Sequence, residues 1–244
     1  GALSVEYALS QRQGENLRRM LVSMIDDPRV ALVKLAERVQ ALRALGSAEN
    51  APGAVQIARA AMDIYAPLAH RLGVGQIKWE LEDLAFRHLQ PADYRDIAKL
   101  LDERRADREQ FIADAIARLR AALDAAGVKA ELSGRPKHLY SIWRKMQRKG
   151  IGITEVYDVR ALRVLVGSAA DCYSTLGIVH GLWRNLPGEF DDYIANPKPN
   201  GYRSLHTAVI GDGGRVLEVQ IRTGDMHQEA ELGICAHWVY KGGE

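Results

Sequence analysis

Three stretches of this sequence gather residue types that could do chemistry. The first is Gly134-Arg135-Pro136-Lys137-His138-Leu139-Tyr140-Ser141-Ile142-Trp143-Arg144-Lys145. Gly and Pro mark a turn into a helix, predicted over 136–149, which puts Lys137, Ser141 and Lys145 at i, i+4 and i+8 on one face. Between Gly134 and Gly152 there are six Lys/Arg and no acid. Cations grouped at a helix start form a phosphate site by electrostatics alone. A solvated basic face, or one that binds RNA, uses the same residue types. The second feature is a pair of carboxylates on strands. Asp158 precedes Val159-Arg160-Ala161-Leu162-Arg163-Val164, and Glu218 sits within Val216-Leu217-Glu218-Val219-Gln220-Ile221-Arg222. Alternation places Glu218, Gln220 and Arg222 on one face and Leu217, Val219 and Ile221 on the other. Such carboxylates suit Mg²⁺, which takes one or two of them together with substrate phosphates. An exposed strand face with ordinary ion pairs is the alternative. The third feature is the loop Asn196-Pro197-Lys198-Pro199-Asn200-Gly201-Tyr202-Arg203-Ser204-Leu205-His206-Thr207. Two prolines and Asn-Gly stiffen it. Its Tyr can stack on a base, its Asn can read a base edge and its Lys can meet phosphate.

The elements that must position these groups fall in two halves. Before about Ala126 the pattern is helical: 28–45, 54–72 with Pro67 bending it, 76–89, and a long charged helix over 91–126 whose alternating charges read as a solvated face. After Gly127 strands appear at 128–132, 159–166, 204–210 and 216–221, with helices at 136–149, 170–183 and 226–240. The Gly211-Asp212-Gly213-Gly214 turn joins the last two strands as a hairpin. Strands mixed with helices imply an α/β or α+β domain with a mixed sheet. Net charge is only +2, so the overall field does not press for DNA or membrane binding. Two cysteines without CxxC spacing suggest neither a disulfide framework nor a zinc site, and fit a reducing cytoplasm. The sequence starts without Met and is expected to be a fragment.

The motifs GRPKHLYSIWRKM, YDVRALRV, EFDDYIANPKPNGYRSLHT, VLEVQIRT and MHQEAELGICAHWVYK together resemble the RelA/SpoT family of (p)ppGpp synthetases. The resemblance covers nearly the whole chain after about Glu15. It implies an α+β architecture: an N-terminal helical scaffold over 1–90, the remnant of a hydrolase-like all-α domain; a connecting helix over 91–126; and a nucleotidyltransferase-like mixed sheet flanked by helices over 127–244. It implies ATP and GDP or GTP as substrates and Mg²⁺ as cofactor. Arg135 and Arg163 would stack on the ATP adenine, and Lys137, Ser141 and Lys145 would hold its phosphates. Asp158, with Glu218, would ligate Mg²⁺. Tyr202 would stack on the guanine, with Lys198, Asn200 and His206 placing the acceptor, and Glu218 would be the base for the ribose 3′-hydroxyl. Asp158 and Arg163 have opposite parity on a regular strand, which places Asp158 in a turn before it.

Two departures bear on function. Glu37, Gln40 and Ala41 stand where active hydrolases of the family carry Asp, His and Asn, and the His-Asp metal pair of that domain is absent from the sequence. The expectation is a scaffold without hydrolase activity. Glu189-Phe190-Asp191-Asp192 is the acidic form of a loop that resembles the synthesis-only, RelA-type branch. Glu189, Asp191 and Asp192 are therefore expected to set acceptor preference. Ribosome sensing, in that branch, belongs to C-terminal domains outside this chain. A nucleotide-binding module without turnover and an RNA-directed nucleotidyltransferase are the competing readings.

Overall fold

The structure is a computed structural model, and it describes residues 28–46, 52–103, 105–135, 137–150 and 160–233. Contacts divide the chain into two units: residues 1–71 with 76–89, and residues 72–75 with 90–244.

In the first unit, α1 (Pro28–Leu45) buries Ala31, Leu35, Val39 and Leu42, one residue per turn. Val30 and Val33, also apolar, face outward. Helix α2 (Ala54–Ala60) runs through a π-helical turn (Ala61–Tyr65) into α3 (Ala66–Arg71), followed by α4 (Gly75–Leu89). The π turn sits directly before Pro67, whose missing N–H and ring bulk disfavour the regular ladder one turn earlier. Its Tyr65 takes the Arg38 guanidinium over its ring at 4.5 Å.

The second unit opens with α5 (Pro91–Glu103) and α6 (Arg105–Ala125), helical on both sides of residue 104, which lies outside the described part. The division between units falls at Gln90, earlier than the change of pattern at Gly127, because α6 packs on the sheet. Phe111, Ala115, Leu119 and Leu123 recur every four residues along α6 and are buried against it. Several of the charges read as solvated are tertiary contacts. Asp107 accepts from Arg215 at 2.8 Å and from Arg160 at 3.3 Å, and both guanidinium groups lie over the Phe111 ring.

The sheet comprises β1 (Ala130–Gly134), β2 (Ala161–Val166), β3 (Arg184–Asp192), β4 (Leu205–Ile210) and β5 (Val216–Thr223), in the order β1-β2-β5-β4-β3. Only β2 and β5 are parallel. Helices α7 (Leu139–Lys149), α8 (Ala169–Leu182) and α9 (Gly224–Leu232) complete the unit. Leu162, Val164, Leu205, Val209, Leu217, Val219 and Ile221 form one sheet face and pack with α6 and with Cys172 and Val179 of α8. Each fully buried Leu or Ile contributes roughly 1.5–3 kcal/mol. The hairpin turn closes as expected, with Gly213 at φ 68° and Gly214 at φ 71°, backbone that favours glycine.

Two sequence expectations are corrected here. Helix α7 starts at Leu139 with His138 extended, so Lys137 precedes the helix, and only Ser141 and Lys145 lie on its surface. The acidic Glu189–Asp192 segment is the end of strand β3, not a loop. Pro187 and Gly188 disguise the strand. An edge strand tolerates them because one side of its backbone needs no partner, and the register shifts between Asn185 and Phe190. The helix expected to reach residue 240 is described to Leu232, and residues beyond 233 lie outside the described part.

Candidate active site

Strand register assembles the polar face that the alternation in β5 foretells. Ser133, Arg163, Gln220, His206 and Asp191 form one continuous row across all five strands. In the next row Glu218 stands between Ala161 and Ala208, two side chains small enough to leave its carboxylate room on both sides. The carboxylate is about one fifth exposed. Arg135 Nη1 donates to Glu218 Oε1 at 3.0 Å, and Lys137 Nζ donates to Oε2. Burial works against the Glu218 charge, but Lys137 first and Arg135 next outweigh it and hold the pKa down to about 2. Arg135 is fixed from behind, its N–H donating to the Ala161 carbonyl at 2.8 Å. A cavity of about 480 Å³ opens beside Arg135 and Lys137, walled by Ile112 and Ile116 of α6.

A second cluster shares this face. The 198–202 turn is closed by Gly201 N–H to the Lys198 carbonyl at 2.8 Å and Tyr202 N–H to Asn200 Oδ1 at 3.2 Å. It delivers Tyr202 edge-on to Tyr193 (6.1 Å) and to His206 (5.7 Å), while Lys198 Nζ lies 4.3 Å from the Tyr193 ring centroid. The Tyr202 hydroxyl and His206 Nε2 are 2.7 Å apart, and Gln220 Nε2 donates to the hydroxyl. The same amide nitrogen lies 3.1 Å from His206 Nε2. An amide nitrogen only donates, so Nε2 is an acceptor, the hydroxyl gives its proton to it, and neutral His206 carries its own proton on Nδ1.

The comparisons with known proteins bear on this geometry. Residues 134–244 match the model described as a region found in RelA / SpoT proteins, and residues 4–75 match an HD domain. A GTP pyrophosphokinase of Escherichia coli K12 is 56% identical over 97% of this chain, which covers 32% of that relative. One from Streptomyces coelicolor is 49% identical over 94% of the chain, covering 27% of the relative. The chain belongs to the RelA/SpoT family. It spans about a third of the length of the curated relatives it matches. The small alarmone synthetase 1 of Bacillus subtilis, solved with its product pppGpp, is 23% identical with a TM-score of 0.44, covering 62% of this chain and 84% of that one.

In this RelA/SpoT chain the structure brings Arg135, Lys137, Arg163, Tyr202, His206 and Glu218 onto one sheet face or its rim. Ser141 is exposed on α7, and Lys145 is half-buried there. Asp158 lies outside the described residues. Asn200 shapes the turn through its side-chain carbonyl. The acids of β3 divide by parity: Asp191 faces His206, whereas Asp192 turns to the other side opposite Leu205. There Asp192 accepts from the N–H groups of Ile194 and Ala195 and from the Tyr173 hydroxyl. Sequence reasoning missed Tyr193, Gln220 as the clamp on Tyr202, and the α9 residues His227 and Glu231. Tyr193 follows two acids in a quoted motif, and Gln220 was placed on the right face by alternation. Only the pairing of α9 with the sheet reveals the other two.

Two expectations arise here. Burial first, then the cations Arg135, Lys198 and Arg222, push His206 down to about 3, with Glu218 opposing, and burial and Arg222 push His227 to about 4. An unfolded chain protonates histidine near 6.5, so between that pH and about 4 it binds protons that the folded chain refuses. Stability is therefore full above pH 6.5 and falls as pH drops through this window. For His206 the slope is about 1.4 kcal/mol per pH unit, or roughly 3–6 °C of Tm. Calorimetry at pH 7.0 and 5.0 checks it, and His206→Gln should give the shallower slope. The second expectation concerns Tyr202. Tyr202→Phe leaves His206 and Gln220 facing a buried gap at a cost of about 1–3 kcal/mol, so Tm should fall, together with the affinity for any nucleotide that this cluster holds. Tyr202→Ala should lose the ring contacts as well. A phenylalanine variant indistinguishable from wild type in both measurements would show that the hydroxyl network is idle.

Proposed function

We propose that this chain transfers the β,γ-pyrophosphate of ATP to the 3′-hydroxyl of GDP or GTP, giving AMP and ppGpp or pppGpp. The observation that carries this reading is Glu218: an ionised carboxylate between two alanines, clasped by two cations, on the same face as the Tyr202–His206–Lys198 cluster. The relatives named GTP pyrophosphokinase support it. In this reading Arg135 and Lys137 leave Glu218 to meet the donor phosphates, with Ser141 and Lys145 further along α7. Arg163 and Arg135 flank the adenine. Tyr202 stacks on the guanine, and Lys198 meets the acceptor phosphates. Glu218 accepts the 3′-hydroxyl proton as the oxygen attacks the β-phosphorus and AMP leaves. A carboxylate held ionised beside a phosphate site fits an oxygen-seeking divalent ion, so Glu218, with Asp158, would hold Mg²⁺. The ion, when bound, neutralises charge on the transferring phosphates.

The β3 geometry sharpens the expectation for the acids. Asp191 shares the site face, so Asp191→Lys should improve use of GTP relative to GDP by lowering repulsion toward the extra phosphate. Asp192 holds the 193–195 turn, so Asp192→Lys should lower Tm instead. Initial rates with GDP and with GTP, taken beside thermal melts, separate the two. An unaltered GTP/GDP ratio in the Asp191 variant would remove that acid from acceptor choice.

The test of the function is incubation with Mg²⁺, labelled ATP and GDP, with separation of the products. A new guanosine polyphosphate plus AMP supports the reading, whereas binding without turnover supports a nucleotide-sensing module. We assign no hydrolase activity to the N-terminal unit, in keeping with the RelA-type branch. Glu37 is exposed and paired with Lys34 at 2.8 Å. Release of pyrophosphate from ppGpp with Mn²⁺, abolished by chelator, would refute that assignment.

A further inference from the structure

Arg163 and Arg222 occupy neighbouring strands of the polar face; Arg163 is partly buried and Arg222 almost completely. After burial, the Arg163 guanidinium disfavours the Arg222 charge, and Glu231 opposes that. One carboxylate serves both. Glu231 Oε1 lies 3.4 Å from Arg222 Nη2 and 3.7 Å from Arg163 Nη2. One helical turn earlier, His227 Nδ1 accepts from the same Arg222 nitrogen at 2.6 Å. Burial and the two arginines keep that histidine neutral, so it can accept but brings no negative charge of its own. Glu231 is thus the only carboxylate among the described residues that ion-pairs with either arginine. Helix α9 is itself fixed: Thr223 caps its start by accepting from Met226 N–H at 3.2 Å, and Met226 and Ala230 are buried. The arginines start from different strands. Arg222 lies 5.9 Å from the Tyr202 ring, on the acceptor side, and Arg163 stands in the row beside β1, on the donor side. Nε of both, and Nη1 of Arg222, have no protein hydrogen-bond partner.

We propose that Glu231 is a positioning residue whose single carboxylate sets the guanidinium groups of Arg163 and Arg222 together, so that α9 ties the donor half of the site to the acceptor half. The inference rests on the proposed function for which nucleotide meets which half. A carboxylate shared by two guanidinium groups cannot be lost from one without loosening the other, and residues in one such network couple energetically.

The test is calorimetric and needs no turnover. Kd values for α,β-methylene-ATP and for GDP are measured separately in wild type and Glu231→Gln, and again in Arg163→Met and Arg222→Met backgrounds. Glu231→Gln should weaken both nucleotides about tenfold. In the Arg163→Met background it should weaken only GDP, and in the Arg222→Met background only the ATP analogue. A structural role alone would give the same loss in every background. Glu231→Asp, which keeps the charge but withdraws it by one methylene, should show the same split at reduced size and stands in should the glutamine variant not fold. Unchanged affinities, or equal losses in both backgrounds, overturn the inference alone. Failure of the wild type to bind either nucleotide overturns the functional reading and this inference with it.

Discussion

Replacing Glu218 with Gln is expected to lower the rate of pyrophosphate transfer by about 10²–10⁴-fold, the usual contribution of a positioned general base. The amide keeps the shape of the side chain between Ala161 and Ala208 but cannot take the proton. The resting ion pairs make a second demand. Both oxygens of Glu218 are engaged by Arg135 and Lys137, the same cations proposed to hold the donor phosphates. Removing the carboxylate frees them, so affinity for α,β-methylene-ATP should hold or increase while turnover collapses. That pairing of effects separates a lost base from a damaged fold, which would weaken both. Single-turnover rates and calorimetric Kd values check it. A variant that kept more than about a tenth of the wild-type rate would limit the contribution of Glu218 to under about 1.4 kcal/mol, too little for a base.

Legibility in the sequence followed the range of the interactions. The alternation in Val216–Thr223 placed Glu218, Gln220 and Arg222 on one face because a strand's period is a local property. What alternation could not supply was register. That Arg163 stands beside Gln220, and Gln220 beside His206, depends on which strands pair, and this alone turns three separate motifs into one row. The errors have the same origin. Strand β3 carries Pro187, Gly188 and three acids, local signals for a loop, and is a strand because β4 supplies its hydrogen bonds. Helix α6 reads as solvated because its charges alternate, yet Asp107 is claimed by Arg160 and Arg215, the latter 108 positions away in the chain. Lys137 reads as the first residue of a helical row because Pro136 favours a helix start. The extended backbone at His138 instead sends its side chain to Glu218.

That last displacement carries the second large expected effect. If Lys137, Ser141 and Lys145 formed one helical row, removing any of them would weaken the donor by similar amounts. The observed geometry ranks them. Lys137 is largely buried, bonded to the ionised Glu218, and part of a cluster whose charges are compensated only together. Burial lowers its pKa, and Glu218 opposes that shift. Ser141 is exposed on α7, where water replaces what its hydroxyl loses. Truncating one member of a buried, hydrogen-bonded charge pair costs about 2–5 kcal/mol, much of it from the partner left behind. Lys137→Met should therefore lower kcat/KM for ATP by at least about 30-fold, the low end of that range. Ser141→Ala should stay within about fivefold, the scale of one neutral hydrogen bond. The loss in Lys137→Met should appear in kcat as well as in KM, because the charge that steadies the transferring phosphates and the ion pair that orients Glu218 are removed together. Steady-state kinetics with ATP varied at saturating GDP, run on both variants, read these quantities directly. Equal losses in the two would restore the helical row, and a Lys137→Met variant with wild-type kcat would confine the lysine to binding.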